Sequence, residues 1–272
     1  MAAIAIRGLA KQVRVVYTVS IRFYEELNDF IPKAMRKRDT ECEFPNRRSV
    51  KDLVESLGVP HTEVDLILVN GQSVDFSHIV KHGDRISVYP VFETLPVRNV
   101  TRLRPLPLRD PKFLCDVHLG KLARRLRLLG LDVRFDPHAE DAELIETARA
   151  EGRILLTRDR RLLMHNAVTR GIFVQHNDAD AQTKELLDRL DLREECKPFT
   201  RCTVCNGRLR ALTEDETRSG PMRDRIPERI LQACTTFTVC LDCGRVYWKG
   251  SHYDKLDAVV HDLLDSDEAA RH

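Results

Sequence analysis

The 272-residue sequence predicts two α/β units, the second of them carrying a cysteine-knuckle insert. Three observations lead there. From Phe113 onward, short apolar runs alternate with helical stretches, the pattern of a parallel sheet. Before residue 92, a strand, a helix and further strands follow one another as in a small sheet domain of its own. Finally, Cys202-x-x-Cys205 and Cys240-x-x-Cys243 stand 34 residues apart, two thiolate pairs that together fill a tetrahedral metal site. The expected boundaries are 1–92 for the first unit, 93–112 for a linker, 113–195 for the second core, 196–252 for the knuckle insert and 253–272 for a terminal helix and tail.

No apolar run reaches the roughly 18 to 20 residues of a membrane helix. The start, MAAIAIRGLAKQ, lacks the charged opening and long apolar stretch of an export signal, so a cytoplasmic address is expected. In that reducing setting paired cysteines indicate metal rather than disulfides. The net charge of +2 is unevenly spread. Residues 101–136 hold nine Lys/Arg against four Asp/Glu, and residues 201–252 hold nine against six. The stretch between them is acidic. Such a layout suits metal ions beside a phosphate backbone, although solvated faces also carry charge runs.

In the first unit, Val13, Val15, Tyr17, Val19, Ile21 and Phe23 alternate with mostly polar neighbours, which predicts a half-buried strand. Ser49 caps a helix through Val50, Leu53, Val54 and Leu57, and Gly58 with Pro60 ends it. In DLILVNGQSV, two strand-like runs meet at Asn70-Gly71, the dipeptide best suited to a tight hairpin. GDRISVYP supplies a last strand. With this wording, VKDLVESLGVPHTEVDLILVNGQSV followed by GDRISVYPVF resembles the ubiquitin-like sulfur carriers of thiamin and molybdopterin synthesis, over about residues 13–92. The resemblance implies a β-grasp fold. The carriers end in a free Gly-Gly, whereas here the chain continues through VFETLPVRNV, so their chemistry is not carried over and no partner is specified for the module. Four prolines and four arginines without a period mark 93–112 as a linker or strap.

The second unit opens on FLCDVHLGKLARRLRLLG. A short strand delivers Asp116, then Leu119, Leu122, Leu126 and Leu129 form one helical stripe, with Lys121, Arg124, Arg125 and Arg127 on the other faces and Gly130 as the stop. LDVRF is a second strand, Glu140–Ala150 a helix with Leu144, Ile145 and Ala148 inward, and ILLT a buried strand leading into Arg158 and Asp159. A short helix from Arg160, the strand GIFVQ and a helix near Ala181–Leu190 follow.

Asp116, Asp141 and Asp159 stand at comparable places, after a strand or at a helix start. Parallel topology brings such positions to one edge, where hard oxygen ligands suit Mg²⁺ or Mn²⁺. Asp is equally at home at a helix N-terminus for capping alone, and spacing does not separate these readings. FLCDVHLGKLARRLRLLGLDV, EDAELIETA and ILLTRDRRL together resemble the PIN-type ribonucleases, in the branch of the mutator-exonuclease C-terminal ribonuclease domain, where a zinc ribbon joins the core. That likeness covers about residues 112–255. It implies that Asp116, Asp141 and Asp159 bind a catalytic divalent metal, with Glu140 as the lesser substitute for Asp141, and that a fourth acid is Asp178 or Asp180.

Cys202, Cys205, Cys240 and Cys243 are then the ligands of a structural zinc, and Cys42, Cys115, Cys196 and Cys234 are incidental thiols. VYWKGSHYDKL places Tyr247, Trp248, Lys249, His252 and Tyr253 close together, either to stack on bases or to anchor the ribbon. The expected RNA-facing cations are Lys121, Arg124, Arg125, Arg158, Arg208, Arg210 and Lys249, with Arg223, Arg225 and Arg229 as further members. The expected function is metal-dependent hydrolysis of RNA phosphodiesters; the alternative is a non-catalytic binder of structured RNA such as tRNA.

Overall fold

The structure, a computed structural model, describes residues 16–90, 103 and 111–265. Val13, Val15, nearly all of the expected linker and the tail beyond 265 lie outside the described residues. The chain divides into two compact units, 1–106 and 107–272.

Unit 1 is a five-stranded sheet in the order β2-β1-β5-β3-β4, built from β1 (Tyr17–Phe23), β2 (Thr40–Phe44), β3 (Val64–Val69), β4 (Gln72–Val74) and β5 (Arg85–Pro90). Strands β1 and β5 are parallel and the other pairs antiparallel. The expected alternation buries Val19, Ile21 and Phe23, and α1 (Val50–Ser56) buries Val50, Leu53 and Val54. Ser49 caps α1 as expected: its Oγ accepts from the Asp52 N–H at 3.1 Å, and the Asp52 carboxylate accepts from the Ser49 N–H. Asn70 (φ 52°) and Gly71 (φ 81°) form the β3–β4 turn, both with the positive φ that a type I′ hairpin demands. Strand β2 has no counterpart in the sequence reading. It is an edge strand, TECEF, whose outward Glu41 and Glu43 hide its apolar side while blunting the edge against further pairing.

Unit 2 holds a four-stranded, all-parallel sheet in the order β7-β6-β8-β9: β6 (Lys112–Cys115), β7 (Asp132–Phe135), β8 (Ile154–Thr157) and β9 (Gly171–Phe173). The chain enters at β6, runs outward to β7, then crosses back to β8. The order therefore reverses between β6 and β8, the position where open α/β sheets form their ligand crevice. Helices α2 (Gly120–Leu128), α5 (Ala179–Arg189) and α8 (Ser251–Leu264) cover one face, around Phe113, Leu122, Leu126, Leu186 and Leu263. Helices α3 (Asp141–Glu151) and α4 (Arg160–Leu163) cover the other, around Leu114, Leu144, Leu155 and Leu163. Alternate residues of β6 thus feed opposite cores.

The leucine stripe of α2 is buried as expected, none of its four members being more than 2% exposed. Burying each contributes about 1.5–3 kcal/mol. Gly130 ends the helix at φ 88°, and a Cβ there would stand 2.2 Å from the Lys197 carbonyl. The constraint comes from residues 197–199, whose Lys197 and Phe199 N–H groups satisfy the last carbonyls of α2 at Leu129 and Leu128. Arg127 departs from expectation. Read as an outward cation, it is instead 4% exposed.

The remaining chain forms an antiparallel sheet β10-β11-β12 (Leu209–Ala211, Phe237–Cys240, Val246–Trp248), with short helices α6 (Glu214–Arg218) and α7 (Glu228–Ala233) between the knuckles. No helix among the described residues is long and apolar enough to cross a membrane.

Candidate active site and metal centre

Asp116 ends β6 at the switch point and is only 7% exposed. Its Oδ1 accepts from the Val117 N–H and its Oδ2 from the Thr157 hydroxyl, each at 2.5 Å. Thr157, the last residue of neighbouring β8, is fully buried and also accepts the Asp159 N–H at 2.9 Å. Both ends of the crevice are thereby joined through one hydroxyl. A buried carboxylate held this way has a fixed orientation, and no cationic side chain pairs with it among the described residues.

The other expected acids lie around this edge with local partners. Asp159 is exposed and caps α4, accepting from the Arg161 N–H at 2.7 Å. Asp141 is exposed in the first turn of α3, behind the capping pair of Glu140 and Glu143. Asp178 caps α5 by accepting from the Asp180 and Ala181 N–H groups, and those bonds, acting with the nearby Arg125 charge, draw its pKa down. Asp180 pairs with Arg125. Among the described residues, the four cysteines are the group of three or more metal-ligating side chains whose donor atoms converge; the carboxylates do not gather that closely. Hard oxygen donors at the ends of adjacent strands still match Mg²⁺ or Mn²⁺ in chemical type.

The expected cations separate into two sets. Lys121, Arg124 and Arg208 are exposed and make no side-chain bond among the described residues. Lys249 is also exposed, its ammonium 5.2 Å from the Tyr253 ring centroid. In contrast, Arg125 is engaged by Asp180, and Arg210 binds Glu216 through both nitrogens at 2.6 and 2.9 Å. Arg158 donates to the carbonyls of Val174, Gln175 and His176, securing the exit of β9. Arg223 pairs with Glu228, and Arg225 donates to the Gly244 carbonyl.

In the metal centre, the sulfurs of Cys202, Cys205, Cys240 and Cys243 lie within 4.8 Å of one another. Cys202–Cys243 is 3.8 Å and Cys205–Cys240 is 3.4 Å. Zinc–sulfur bonds of about 2.3 Å in a tetrahedron require sulfurs about 3.8 Å apart, so the donor set fits Zn²⁺. With four thiolates it is a closed, structural type of site. Tyr247 lies with its hydroxyl 2.9 Å from the Cys202 sulfur. Burial opposes ionisation of Cys202, but this bond and the Cys205 and Val204 N–H groups outweigh it, bringing the thiol down to about 7. Tyr247 therefore supports the metal centre, and Tyr253 packs on Phe199 at 4.6 Å, so both serve as anchors. Burial pushes Cys115 up to about 12, which makes the thiol beside Asp116 inert.

Two residues tie this centre to the parallel sheet. The Arg127 guanidinium donates to Val133 O at 2.9 Å in β7, and to Val204 O at 2.7 Å and Thr203 O at 3.3 Å in the first knuckle. Asn206 accepts from the Val133 N–H at 3.0 Å and donates to Asp132 at 2.9 Å. Asp132 also receives Arg153 and Arg201. No periodicity marks these residues. Asn206, directly after the second cysteine of the first knuckle, is a residue type that favours turns, and it sits at φ 73°.

Two family models match the chain, one over each unit. A family model described as Mut7-C ubiquitin matches residues 16–96, in keeping with the ubiquitin-like sheet of unit 1. A human protein named Exonuclease mut-7 homolog is 26% identical over 234 aligned residues, covering 59% of this chain and 27% of that protein. The chain thus spans about a quarter of the length of that relative. A second family model, described as Mut7-C RNAse domain, matches residues 111–260, more than half of the sequence and the whole of the parallel sheet with its ribbon. The chain therefore belongs to the Mut7-C RNAse domain family, a nuclease-like family.

Proposed function

We propose that the chain is a divalent-metal-dependent ribonuclease of PIN type, acting in the cytoplasm on RNA phosphodiesters. The observation that carries this reading is Asp116: a buried carboxylate at the switch point, fixed by Thr157 and the Val117 N–H. Asp159 and Asp141 flank it on the same edge of the sheet as further oxygen donors. Bound Mg²⁺ or Mn²⁺ supplies positive charge at the phosphate and a more acidic water. Lys121 and Arg124, exposed and without acid partners among the described residues, hold the backbone of the RNA. Arg208 and Lys249 extend the cationic surface along the ribbon.

A second reading is favoured by the local engagement of Asp159, Asp178 and Asp180 in caps and an ion pair. Here the same surface binds structured RNA such as tRNA without cutting it. The deciding experiment treats pooled cellular RNA with purified, zinc-loaded protein in Mn²⁺ or Mg²⁺ beside Asp116→Asn. Cleavage that disappears in the variant supports the nuclease. Intact RNA recovered with both proteins, and released steeply by salt, supports the binding protein.

A further inference from the structure

Two residues beyond Asp116, unit 2 opens into a cleft of about 520 Å³ between the first turns of α2 and α5 and the end of β7. That size lies within the roughly 300–1,000 Å³ typical of small-ligand sites. Leu119 and Leu122 form an apolar floor, both 2% exposed or less. Phe135 brings a half-buried ring to one wall. Its tip lies against Gly120, where a Cβ would stand 2.8 Å from the ring Cζ, so the absence of a side chain lets the ring rest on the helix.

The polar wall is distinct from the acids. Lys121 and Arg124 line the cleft three residues apart on one helix face, both exposed and neither paired among the described residues. Like charges at that spacing oppose helix stability unless an anion answers them. Gln182, opposite, is 5% exposed; its Nε2 donates to the His176 carbonyl at 2.8 Å, which leaves Oε1 as a fixed acceptor. Exposed Asn177 adds an amide able to donate and accept. One cationic pair, one ring and two amides within a single cleft match the phosphate, the face of the base and the edge of the base of one nucleotide.

We propose that this cleft is a nucleotide subsite. It takes one unpaired nucleotide, with the phosphate on Lys121 and Arg124, the base against Phe135, and the base edge read by Asn177 and Gln182. The proposal deepens the nuclease reading and rests on it for the class of ligand. Base contact with an aromatic ring is sequence-tolerant, so Gln182 and Asn177 are the specificity-determining positions.

The test uses the full, zinc-loaded chain without Mg²⁺ or Mn²⁺, titrated with adenosine 5′-monophosphate, ribose 5-phosphate and inorganic phosphate and followed by NMR. Adenosine 5′-monophosphate is expected to bind at least about fivefold more tightly than ribose 5-phosphate, the difference being the base. Joint Lys121→Ala and Arg124→Ala substitution should weaken it at least about tenfold. Phe135→Leu, which keeps apolar volume, should bring it to the level of ribose 5-phosphate. Equal binding of the nucleotide and the sugar phosphate, wild-type affinity in the folded double variant, or no binding at millimolar nucleotide would overturn the subsite. RNA cleavage in a protein that fails this titration would leave the nuclease reading standing. Nucleotide binding in a protein that cleaves nothing would keep the subsite and end that reading.

Discussion

Thr157 donates its hydroxyl to Asp116 across the β6–β8 boundary at 2.5 Å, and the same oxygen accepts the Asp159 N–H at 2.9 Å. The two expected acids nearest the switch point are therefore connected through a neutral side chain. A threonine at a strand end is ordinarily just a good β former. Here it fixes which way a buried carboxylate faces, and orientation is what a metal-assisted phosphoryl transfer requires.

Thr157→Val keeps the shape and deletes the hydroxyl. Supporting partners of ligand groups typically contribute about 10–100-fold, so cleavage should fall by that factor while Asp116→Asn removes it. The Asp159 N–H loses its acceptor as well, and stability should drop by about 1–3 kcal/mol. Cleavage rates and urea midpoints measure the two effects separately. A valine variant with wild-type activity would show that Asp116 needs no such restraint.

Local signals predicted the elements well where a residue's role depends on near neighbours. The stripe Leu119, Leu122, Leu126 and Leu129, the Ser49 cap and the Asn70-Gly71 turn are of that kind. The sequence missed residues whose partners are distant. Arg127 reads as outward by helical period, yet it reaches Thr203 and Val204, 76 and 77 residues away. Asp180 and Arg125 pair across 55 residues, which no spacing rule expresses. Likewise β2 carries glutamates on its exposed side and lacks an apolar run. At the candidate site the acids were legible as positions, with capping as one of their two readings, whereas the Arg125–Asp180 ion pair was not.

The cysteine cluster should bind close to one zinc per chain, read by elemental analysis. Because a preformed site rarely exists in an unfolded chain, metal binding and folding of the ribbon are one equilibrium. Cys202→Ser and Cys240→Ser should each lose the zinc, and a strong chelator should melt the ribbon signals of the wild-type protein in NMR. Full zinc retention in both serine variants would mean that the metal sits elsewhere.

Asp132 makes the join between sheet and ribbon sensitive to acid. Burial disfavours its charged form, but hydrogen bonds from Arg153 and Asn206, aided by the Arg153 and Arg201 charges, more than offset this, so its pKa lies below the ordinary carboxylate value. A carboxyl depressed on folding binds fewer protons folded than unfolded. Its contribution is fully present above the unfolded value of about 3.9 and is lost as pH falls through the folded one. Asp132→Asn should lower stability at pH 7 by about 1–3 kcal/mol and flatten the acid limb of the stability profile. An unchanged acid limb in urea titrations from pH 6 downward would assign the acid sensitivity to other carboxylates.

Arg127 makes the metal centre and the parallel sheet mechanically dependent on each other. Its guanidinium, 4% exposed, bonds one carbonyl of β7 and two of the first knuckle. Burial lowers its pKa while the nearby Cys115, Cys205 and Cys202 thiols raise it; an arginine at such a position stays charged. A zinc bound by four thiolates carries a net negative charge, which this cation stabilises at the loop holding two of the ligands. Arg127→Met preserves the apolar stem but leaves the buried Val133 carbonyl without this donor, at a cost of about 1–3 kcal/mol, and frees the part-buried Thr203 and Val204 carbonyls. The expected result is faster zinc loss to a chromogenic chelator and a melt that separates into ribbon and core transitions. Arg127→Lys should recover charge without the three-way fork, and so restore zinc retention only in part. If the methionine variant keeps both a single transition and the wild-type rate of zinc loss, the two parts of this unit are stabilised independently and Arg127 is merely a packed side chain.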